Sequence, residues 1–379
     1  MAAMTWVVLT IAAAWLVMAA IELRGVLSLQ CLPQRRENAP RTAVTIVVPV
    51  RDGVHHVDET VRRLLAQRDV DLRVVVVDDR SVDGTSEVLA RLVATDARLT
   101  VQAISELPAG WLGKSHALHV GTREVTTPWL LFVDADSRLT PTLAAQAIDA
   151  AIANGADHVA LLPDIVPATT SGHAGLLAFL AVVLERLRRV NAPRQRSFVG
   201  TGAFNLVRTD AYRAIGGHER LRLEVVDDLW LGGLLFRRGF RSRIWIASRE
   251  LSVDWGGTPA QLLRDVEKNM FAVLRYRTPV ALTLGIVVLL LVVATWTAPW
   301  WAGRIGWAAI AAFAVTAVPT VELARRNGWP LVTGLLAPLG RALLPVALLR
   351  STLRTLRKNG VSWRGTFYPL AELRRGQIV

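Results

Sequence analysis

The sequence contains one cysteine, Cys31, among its 379 residues. No intramolecular disulfide can form, which indicates a folded domain that works in a reducing compartment. Charged side chains are missing from three long runs, at residues 1–21, 279–303 and 305–321. Each run is near the length that crosses a bilayer, the third only marginally. The sequence therefore predicts a membrane protein with apolar segments toward both ends.

The first apolar run lacks two features of a secretory signal peptide. No basic residue precedes it, and Glu22-Leu23-Arg24 stands where a small-residue cleavage site belongs. We therefore predict a retained transmembrane anchor over residues 1–23. Residues 279–321 are predicted to form two further transmembrane helices.

The C-terminal part of the chain is apolar but interrupted. Residues 329–349 contain three prolines and Arg341. If this stretch crossed the bilayer, the basic residues from Arg350 onward would lie outside, against the positive-inside rule. We interpret residues 328–379 as an interfacial or re-entrant helix followed by a basic cytoplasmic tail. The prediction is a multi-pass protein of a bacterial-type cytoplasmic (inner) membrane, with its catalytic domain facing the cytoplasm.

The formal net charge is +13, and nearly all the positive charge comes from arginine. Such a balance fits a partner that is either nucleic acid or anionic lipid. Basic clusters such as Arg35-Arg36, Arg325-Arg326 and Arg357-Lys358 lie beside apolar segments. That placement favours a membrane face, and we predict no nucleic-acid partner.

Residues 41–274 alternate short apolar runs with helical patterns, which predicts an α/β fold with a mostly parallel sheet flanked by helices. The predicted strands cover 44–50, 72–77, 99–104, 129–133 and 158–162. The predicted helices cover 57–67, 85–93, 114–124, 141–153 and 176–190.

Three acidic segments follow predicted strands or open a helix: Asp78-Asp79, Asp134-Ala135-Asp136 and Asp227-Asp228. Ligands bind at the carboxyl ends of strands in open α/β sheets, where Asp79 would reach a ribose or a base. An Asp-x-Asp at a strand end suits a hard divalent cation that completes its shell with phosphates. A carboxylate at a helix start can act as a general base. Taken singly, each segment also fits an ordinary cap, turn or helix-dipole role.

The ordered set, with Pro49 ahead and Leu231-Gly232 behind, resembles family 2 inverting glycosyltransferases of the GT-A fold. Residues 108–114, which read P-A-G-W-L-G-K, are similar to a segment of membrane glycosyltransferases that act on hopanoids and carotenoids. Residues 200–205, 215–218 and 363–368 resemble further parts of the same enzymes. The Gln-x-x-Arg-Trp segment of processive synthases is not evident, which favours a single sugar transfer.

The resemblance implies a role for individual residues on the donor side. Asp136 is the main ligand of Mg²⁺ or Mn²⁺, with Asp134 alongside it. Asp79 contacts the nucleoside and Asp52 assists it. Lys114 approaches the diphosphate or the sugar.

On the acceptor side, Asp228 corresponds to the catalytic base, because Leu231-Gly232 follows at the family spacing. The family block commonly reads Glu-Asp, so Asp227 is the alternative base. The predicted function is inverting, non-processive transfer from a nucleotide-diphosphate sugar to a hydroxyl of a terpenoid-like membrane lipid. The alternatives are transfer to polyprenyl phosphate and a non-catalytic membrane scaffold.

Overall fold

The computed structural model describes residues 2–166, 169–254 and 257–378, and it divides into two compact units. The sheet unit comprises Gln30–Asp164, Arg189–Asp254 and residues 364–378. The helical unit comprises residues 2–29, 165–166, 169–188 and 257–363.

The strands, in chain order, are β1 Thr42–Val50, β2 Val70–Asp79, β3 Leu99–Ile104, β4 Trp129–Phe132, β5 Ser137–Leu139, β6 His158–Leu162, β7 Asp164–Ile165, β8 Asn205–Arg208, β9 Ser242–Ile246, β10 Leu251–Val253, β11 Gly360–Trp363 and β12 Thr366–Pro369. The α-helices are α1 Ala2–Ser28, α2 Val57–Leu65, α3 Thr85–Val93, α4 Gly113–Gly121, α5 Leu143–Ala153, α6 Thr170–Val190, α7 Thr209–Ala214, α8 Asp227–Arg237, α9 Pro259–Val273, α10 Thr278–Ala302, α11 Gly306–Val315, α12 Ala317–Asn327, α13 Leu331–Gly340, α14 Leu343–Lys358 and α15 Leu370–Arg375.

The sheet unit is built on a seven-stranded sheet with the order β3-β2-β1-β4-β8-β6-β9. Its strands run parallel except β8, which is antiparallel to both β4 and β6. Val47 of β1 lies between Val75 of β2 and Phe132 of β4. Strands covered on both faces read as continuous apolar runs, which explains the valine-rich β1 and β2. The predicted α/β class is confirmed, and each of the five predicted strands is present with its ends within two residues.

The helical unit contains three stretches long and apolar enough to cross a membrane: Ala2–Ser28, Thr170–Val190 and Thr278–Asn327. The last stretch turns back at the 3-10 helix Gly303–Ile305, where Gly303 has a φ of +61° that favours glycine. Helices α10 and α11 then pack against each other. The bent pair of α13 and α14, at 49°, would form a fourth span or a re-entrant loop.

A buried ion pair ties α1 to the break between α13 and α14. Arg341 donates to the two carboxylate oxygens of Glu22 at 2.8 and 2.6 Å, and both side chains are about 95% buried. Charges inside an apolar helical unit persist when they are paired, because removing one partner leaves the other unsolvated. The arginine that interrupts the apolar run in the sequence therefore has a structural partner.

The sequence assigned α6 and α9 to the predicted domain of residues 41–274. In the structure, α6 lies mostly in the helical unit, where Gly25 of α1 packs against Leu184. Helix α9 packs on α14 in the same unit. The predicted boundaries of residues 1–23, 41–274, 279–321 and 328–379 stay predictions.

Candidate active site

The acidic segments meet at the carboxyl edge of the parallel strands. Asp79 ends β2, while Asp134 and Asp136 follow β4. Asp227 and Asp228 open α8, in the segment after β8. Parallel strands bring their carboxyl ends to one edge, so residues far apart in the sequence become neighbours. All of these residues lie within the sheet unit.

Lys114, in the first turn of α4, connects the acidic segments. Its ammonium Nζ lies 2.7 Å from Asp134 Oδ1 and 3.7 Å from Asp227 Oδ1. Burial disfavours the charged form, but the carboxylates of Asp134, Asp227 and Asp228 outweigh it and raise the pKa of Lys114. The lysine is therefore a fixed positive charge among carboxylates. We call Lys114, Asp134, Asp136, Asp227 and Asp228 together the acidic end of the site.

The carboxylates of the acidic end outnumber its positive charge. Burial, followed by the negative charge of Asp134, raises the pKa of Asp136 to about 6. A bound divalent cation would offset this repulsion, so the donor set fits the predicted Mg²⁺ or Mn²⁺. Among the described residues no group of three or more His, Cys, Asp or Glu side chains is arranged to hold a metal. The fit therefore requires oxygen ligands from water and a substrate diphosphate beside Asp134 and Asp136.

Three glycines allow the backbone to approach the acidic end closely. A Cβ on Gly202 would lie 2.1 Å from Asp134 Oδ2, and one on Gly200 would lie 1.7 Å from the carbonyl oxygen of Asp228. A Cβ on Gly232 of α8 would lie 1.7 Å from the carbonyl oxygen of Val199. These distances are far below any van der Waals contact. The turn at residues 199–202 and helix α8 can therefore approach this closely only with glycine at positions 200 and 232, while Gly202 leaves room for the Asp134 carboxylate.

A buried polar chain also fixes the backbone of Asp228. The Nδ2 of Asn205 donates to the carbonyl oxygen of Asp228 at 3.2 Å. His158 Nε2 donates to Asn205 Oδ1, and His158 Nδ1 lies 3.0 Å from the hydroxyl of Ser242. Burial lowers the pKa of His158 to about 4, so the ring is neutral at physiological pH. Strands β6, β8 and β9 thereby hold the start of α8 through His158, Asn205 and Ser242, and of these only Asn205 lies in a segment that the sequence analysis identified as resembling known enzymes.

Asp79 lies at the other end of the site among arginines. Arg80 Nε and Nη2 donate to its two oxygens at 2.7 and 3.0 Å, and Arg51 Nη1 lies 4.0 Å from Asp79 Oδ2. Asp79 is buried, and Arg80 adopts a φ of +60°, which is unusual for a residue with a side chain. We call Arg51, Asp79 and Arg80 the arginine end. The sequence analysis identified the aspartate but not its two partners.

The loops after β1 and β2 are joined to each other at the arginine end. The backbone N–H of Asp52 donates to Ser81 Oγ, and Asp52 Oδ1 accepts from the N–H of Val82, both at 2.9 Å. The Asp52 carboxylate thus holds the loop after β2. Asp52 is also exposed, and its predicted role is to assist Asp79 at the nucleoside.

Helix α3 begins after Gly84, which is its N-cap and has a φ of +93°. Glycine adopts this left-handed conformation without steric strain. Asp83 accepts from the N–H of Thr85, the first residue of the helix, at 3.1 Å.

The two candidate bases differ in their surroundings. Asp227 is buried beside Lys114, and its Oδ2 lies 4.0 Å from Nε2 of His218. Burial lowers the pKa of His218 to about 3, so the ring is neutral. Asp228 is half-buried and its Oδ1 accepts from the N–H of Leu229 at 2.7 Å. The geometry therefore makes Asp228 the more accessible carboxylate.

A cleft with about 220 Å³ of empty space opens at the acidic end. Its lining combines the predicted acidic residues with apolar strand ends and the glycine turn. These residues are Pro49, Lys114, Leu118, Phe132, Val133, Asp134, Thr201, Gly202, Asn205, Asp227 and Asp228.

Comparison with known proteins gives matches over this same part of the chain. Residues 45–216 match the family described as glycosyl transferase family 2. A curated relative, the 4,4'-diaponeurosporenoate glycosyltransferase of Staphylococcus aureus (strain USA300), is 21% identical over 257 residues. That alignment covers 62% of this chain and 67% of the relative. The mannosyltransferase PcManGT from Pyrobaculum calidifontis, solved in complex with GDP-Man and Mn²⁺, has a TM-score of 0.57 at 17% identity. It covers 94% of this chain and 99% of its own.

The mostly parallel sheet, with the acidic residues at its carboxyl edge, belongs to a fold that the chain shares with this neighbour. The chain carries a glycosyl transferase family 2 domain of the GT-A fold, and it is a glycosyltransferase. The predicted family resemblance, fold class and enzyme class are thereby confirmed.

Proposed function

We propose that this enzyme transfers one sugar, with inversion, from a nucleotide-diphosphate sugar to a hydroxyl of a terpenoid-like membrane lipid. The observation that carries the proposal is the convergence of Asp134, Asp227 and Asp228 on Lys114 beside a cleft. A general base and a diphosphate-binding charge within one cleft are what a single displacement at an anomeric carbon requires.

The donor spans the two ends of the site in this proposal. Asp79 and the loop of Asp52 receive the nucleoside, and Lys114 attracts the diphosphate. Asp136 and Asp134 would hold Mg²⁺ or Mn²⁺, and the cation would offset the negative charge that develops on the leaving diphosphate. The neighbour solved with GDP-Man and Mn²⁺ supports this donor class and cation type.

Asp228 is the proposed base. Its carboxylate takes the proton of the acceptor hydroxyl while the hydroxyl oxygen attacks the anomeric carbon from the face opposite the diphosphate. The bond to the diphosphate breaks in the same step, so the anomeric centre inverts. Asn205 and Gly200 hold the backbone of Asp228, which keeps the carboxylate in one position.

An anionic acceptor is the second candidate. The S. aureus relative is named for a carotenoid carboxylate. Polyprenyl phosphate would be an anionic acceptor of another kind. Neither has a hydroxyl proton to remove, so neither needs a strong base. The hydroxyl is the first candidate, because only a hydroxyl gives the half-buried Asp228 carboxylate a proton to remove.

The acceptor class can be decided with Asp228→Asn in the purified full chain. With a hydroxylated terpenoid, turnover is expected to fall at least about 100-fold while nucleotide affinity stays unchanged, because only proton removal is lost. Asp227→Asn is the matched control for the neighbouring position. If Asp227→Asn lost as much turnover and Asp228→Asn lost none, the base would be Asp227. Efficient transfer by Asp228→Asn to a terpenoid carboxylate or a polyprenyl phosphate would support the anionic acceptor.

The proposed lipid acceptor and the apolar helices lead us to propose a multi-pass inner-membrane enzyme whose active site faces the cytoplasm. The single cysteine gives a direct test, because Cys31 is exposed and lies three residues after the end of α1. A membrane-impermeant thiol reagent is expected to label inside-out vesicles and not intact cells, with Cys31→Ser as the control. Labelling of intact cells would reverse the proposed orientation.

A further inference from the structure

The last residues of the chain belong to the sheet unit, although most of that unit ends at Asp254. Leu370 and Leu373 of α15 are buried, and Gly376 packs directly against Leu223. The backbone N–H of Ile378 donates to Glu224 Oε1 at 2.9 Å. We call residues 364–378 the tail. Its far end is fixed to the segment that precedes α8.

The near end of the tail reaches the start of α4. The N–H of Gly113 donates to the hydroxyl of Tyr368 at 3.3 Å. Gly113 is the first residue of α4, where backbone N–H groups have no partner within the helix. A Cβ on Gly113 would lie 2.3 Å from Asp79 Oδ2, so this backbone passes directly over the Asp79 carboxylate. Tyr368 therefore holds the backbone of Gly113, which lies against the Asp79 carboxylate and directly precedes Lys114.

A second contact holds the loop after β1. Arg364 donates from its guanidinium to the carbonyl oxygen of Arg51. The next residue, Asp52, has a φ of +50°, a conformation that costs energy for a residue with a side chain. Such a backbone persists only when its surroundings fix it. Arg364, together with Ser81 on the neighbouring loop, supplies that support.

From these contacts we infer that the tail completes the donor side of the site, with Arg364 and Tyr368 as positioning residues for the nucleotide. They hold the two backbone segments that carry Arg51, Asp52 and Lys114. The inference rests on the proposed function, because it assumes a nucleotide-sugar donor at the arginine end. It adds a specific requirement, that donor affinity depends on residues near the C-terminus while the chemical step does not.

The test compares Tyr368→Phe, Arg364→Ala and Arg364→Lys with wild type, using the full chain in detergent. Titration with GDP and with UDP in the presence of Mn²⁺ measures nucleotide affinity, and steady-state kinetics separate the donor KM from kcat. Each loss of a hydrogen bond is expected to weaken nucleotide binding and raise the donor KM about threefold to tenfold. We expect kcat and the acceptor KM to change less than about twofold, and Arg364→Lys to retain part of the affinity.

Arg375→Ala is the matched control, because Arg375 is an exposed arginine of the same tail that donates only to Ala371 within its own helix among the described contacts. Unchanged nucleotide affinity in Tyr368→Phe and Arg364→Ala, with or without a lower melting temperature, would overturn the inference. Tighter nucleotide binding by Tyr368→Phe would also overturn it, because the hydroxyl would then compete with the donor at Gly113. A wild-type enzyme that binds nucleotide but transfers no sugar would contradict the proposed function alone, and the binding comparison would still decide the inference.

Discussion

The acidic end and the arginine end differ in how completely their charges are compensated. The acidic end holds four carboxylates around a single ammonium group, and one of those carboxylates has a raised pKa. At the arginine end, a single buried carboxylate already has a bidentate partner and a second arginine nearby. A bound cation would balance the acidic end, whereas the buried carboxylate of the arginine end is already paired before any ligand arrives.

Ligand binding at the two ends of the site should therefore depend on different variables. Ligands of the acidic end should depend on divalent cation concentration, because a cation must offset the repulsion first. Ligands of the arginine end should bind to a preformed surface, and their affinity should depend on how well the loops are held. Substitutions at the two ends should therefore change different measured quantities.

The largest effect is expected for Asp136→Ala, which removes the main proposed cation ligand. Turnover should fall more than about 100-fold and should not recover with added Mn²⁺, since loss of a direct ligand exceeds loss of an outer contact. Nucleotide binding measured without cation should stay near the wild-type value. The measurement is an Mn²⁺ titration of initial rates, with Asp210→Ala, an exposed aspartate that pairs with Arg208, as the control. Wild-type turnover by the Asp136 variant would refute the assignment of the cation site.

The next largest effect is expected for Gly200→Ala. The new Cβ would overlap the carbonyl oxygen of Asp228 at 1.7 Å, so the start of α8 must move. A shift of about 1 Å at a catalytic group can reduce turnover about 100-fold. Donor KM should change little, because the added Cβ would meet the backbone of Asp228 and Leu229, which belong to α8 and not to the arginine end.

The control for this glycine is Gly175→Ala. Gly175 lies within α6, and its added Cβ would meet the ends of two flexible side chains, Cδ2 of Leu262 at 3.1 Å and Cδ1 of Leu343 at 3.9 Å. Alanine in a helix interior is favoured over glycine by roughly 0.5–1 kcal/mol, so this variant should keep full activity and equal or greater stability. Equal activity loss in both variants would show that the effect at Gly200 is not local.

A smaller and different effect is expected for Asp79→Asn, which acts on the arginine end alone. Loss of the charged acceptor should raise the donor KM roughly tenfold while the Mn²⁺ dependence stays unchanged. Asp96→Asn is the matched control, since Asp96 forms a comparable bidentate pair with Arg98 away from the site. A shifted Mn²⁺ midpoint in the Asp79 variant would show that the two ends are coupled, contrary to the comparison.

The sequence predicts the two ends unequally well, for a physical reason. Asp79 ends the valine-rich β2 and Asp136 lies shortly after the apolar β4, and an apolar run that ends in carboxylates is a local pattern that sequence spacing preserves. Strand β8 is short and begins at Asn205, in the glycine-containing segment after α6, so no periodicity marks it. Its antiparallel position between β4 and β6 is set by contacts distant in sequence.

Partners of the predicted residues are harder to find than the residues themselves. Arg80 directly follows Asp79, but nothing in the sequence separates it from the chain's other arginines. Its bidentate contact depends on the left-handed backbone at residue 80. Tyr368 lies 255 residues from Gly113, so only the folded chain reveals that contact. The structure also adds His158, because a histidine in a strand becomes informative only when its two ring nitrogens have identified partners.

The smallest effect at neutral pH, and the most specific, is expected for His158→Gln. The folded-state pKa of His158 is about 4, below its ordinary value of 6.5, so the unfolded chain binds the proton first as the pH falls. The stability contributed by the neutral ring is therefore complete above about pH 6.5 and is lost progressively toward pH 4, by on the order of 3 kcal/mol. Glutamine does not titrate, so the variant should lose less stability over this range, while His218 maintains part of the acid sensitivity.

Melting temperatures between pH 4 and pH 7 measure this effect, with His55→Gln as the exposed control. Because His158 holds Asn205 and Asn205 holds Asp228, acid should lower turnover before it weakens nucleotide binding at the arginine end. Parallel acid profiles for wild type and His158→Gln would show that the buried ring does not contribute. If acid weakened nucleotide binding before it lowered turnover, the arginine end would be the more acid-sensitive of the two. That result would contradict the independence of the two ends.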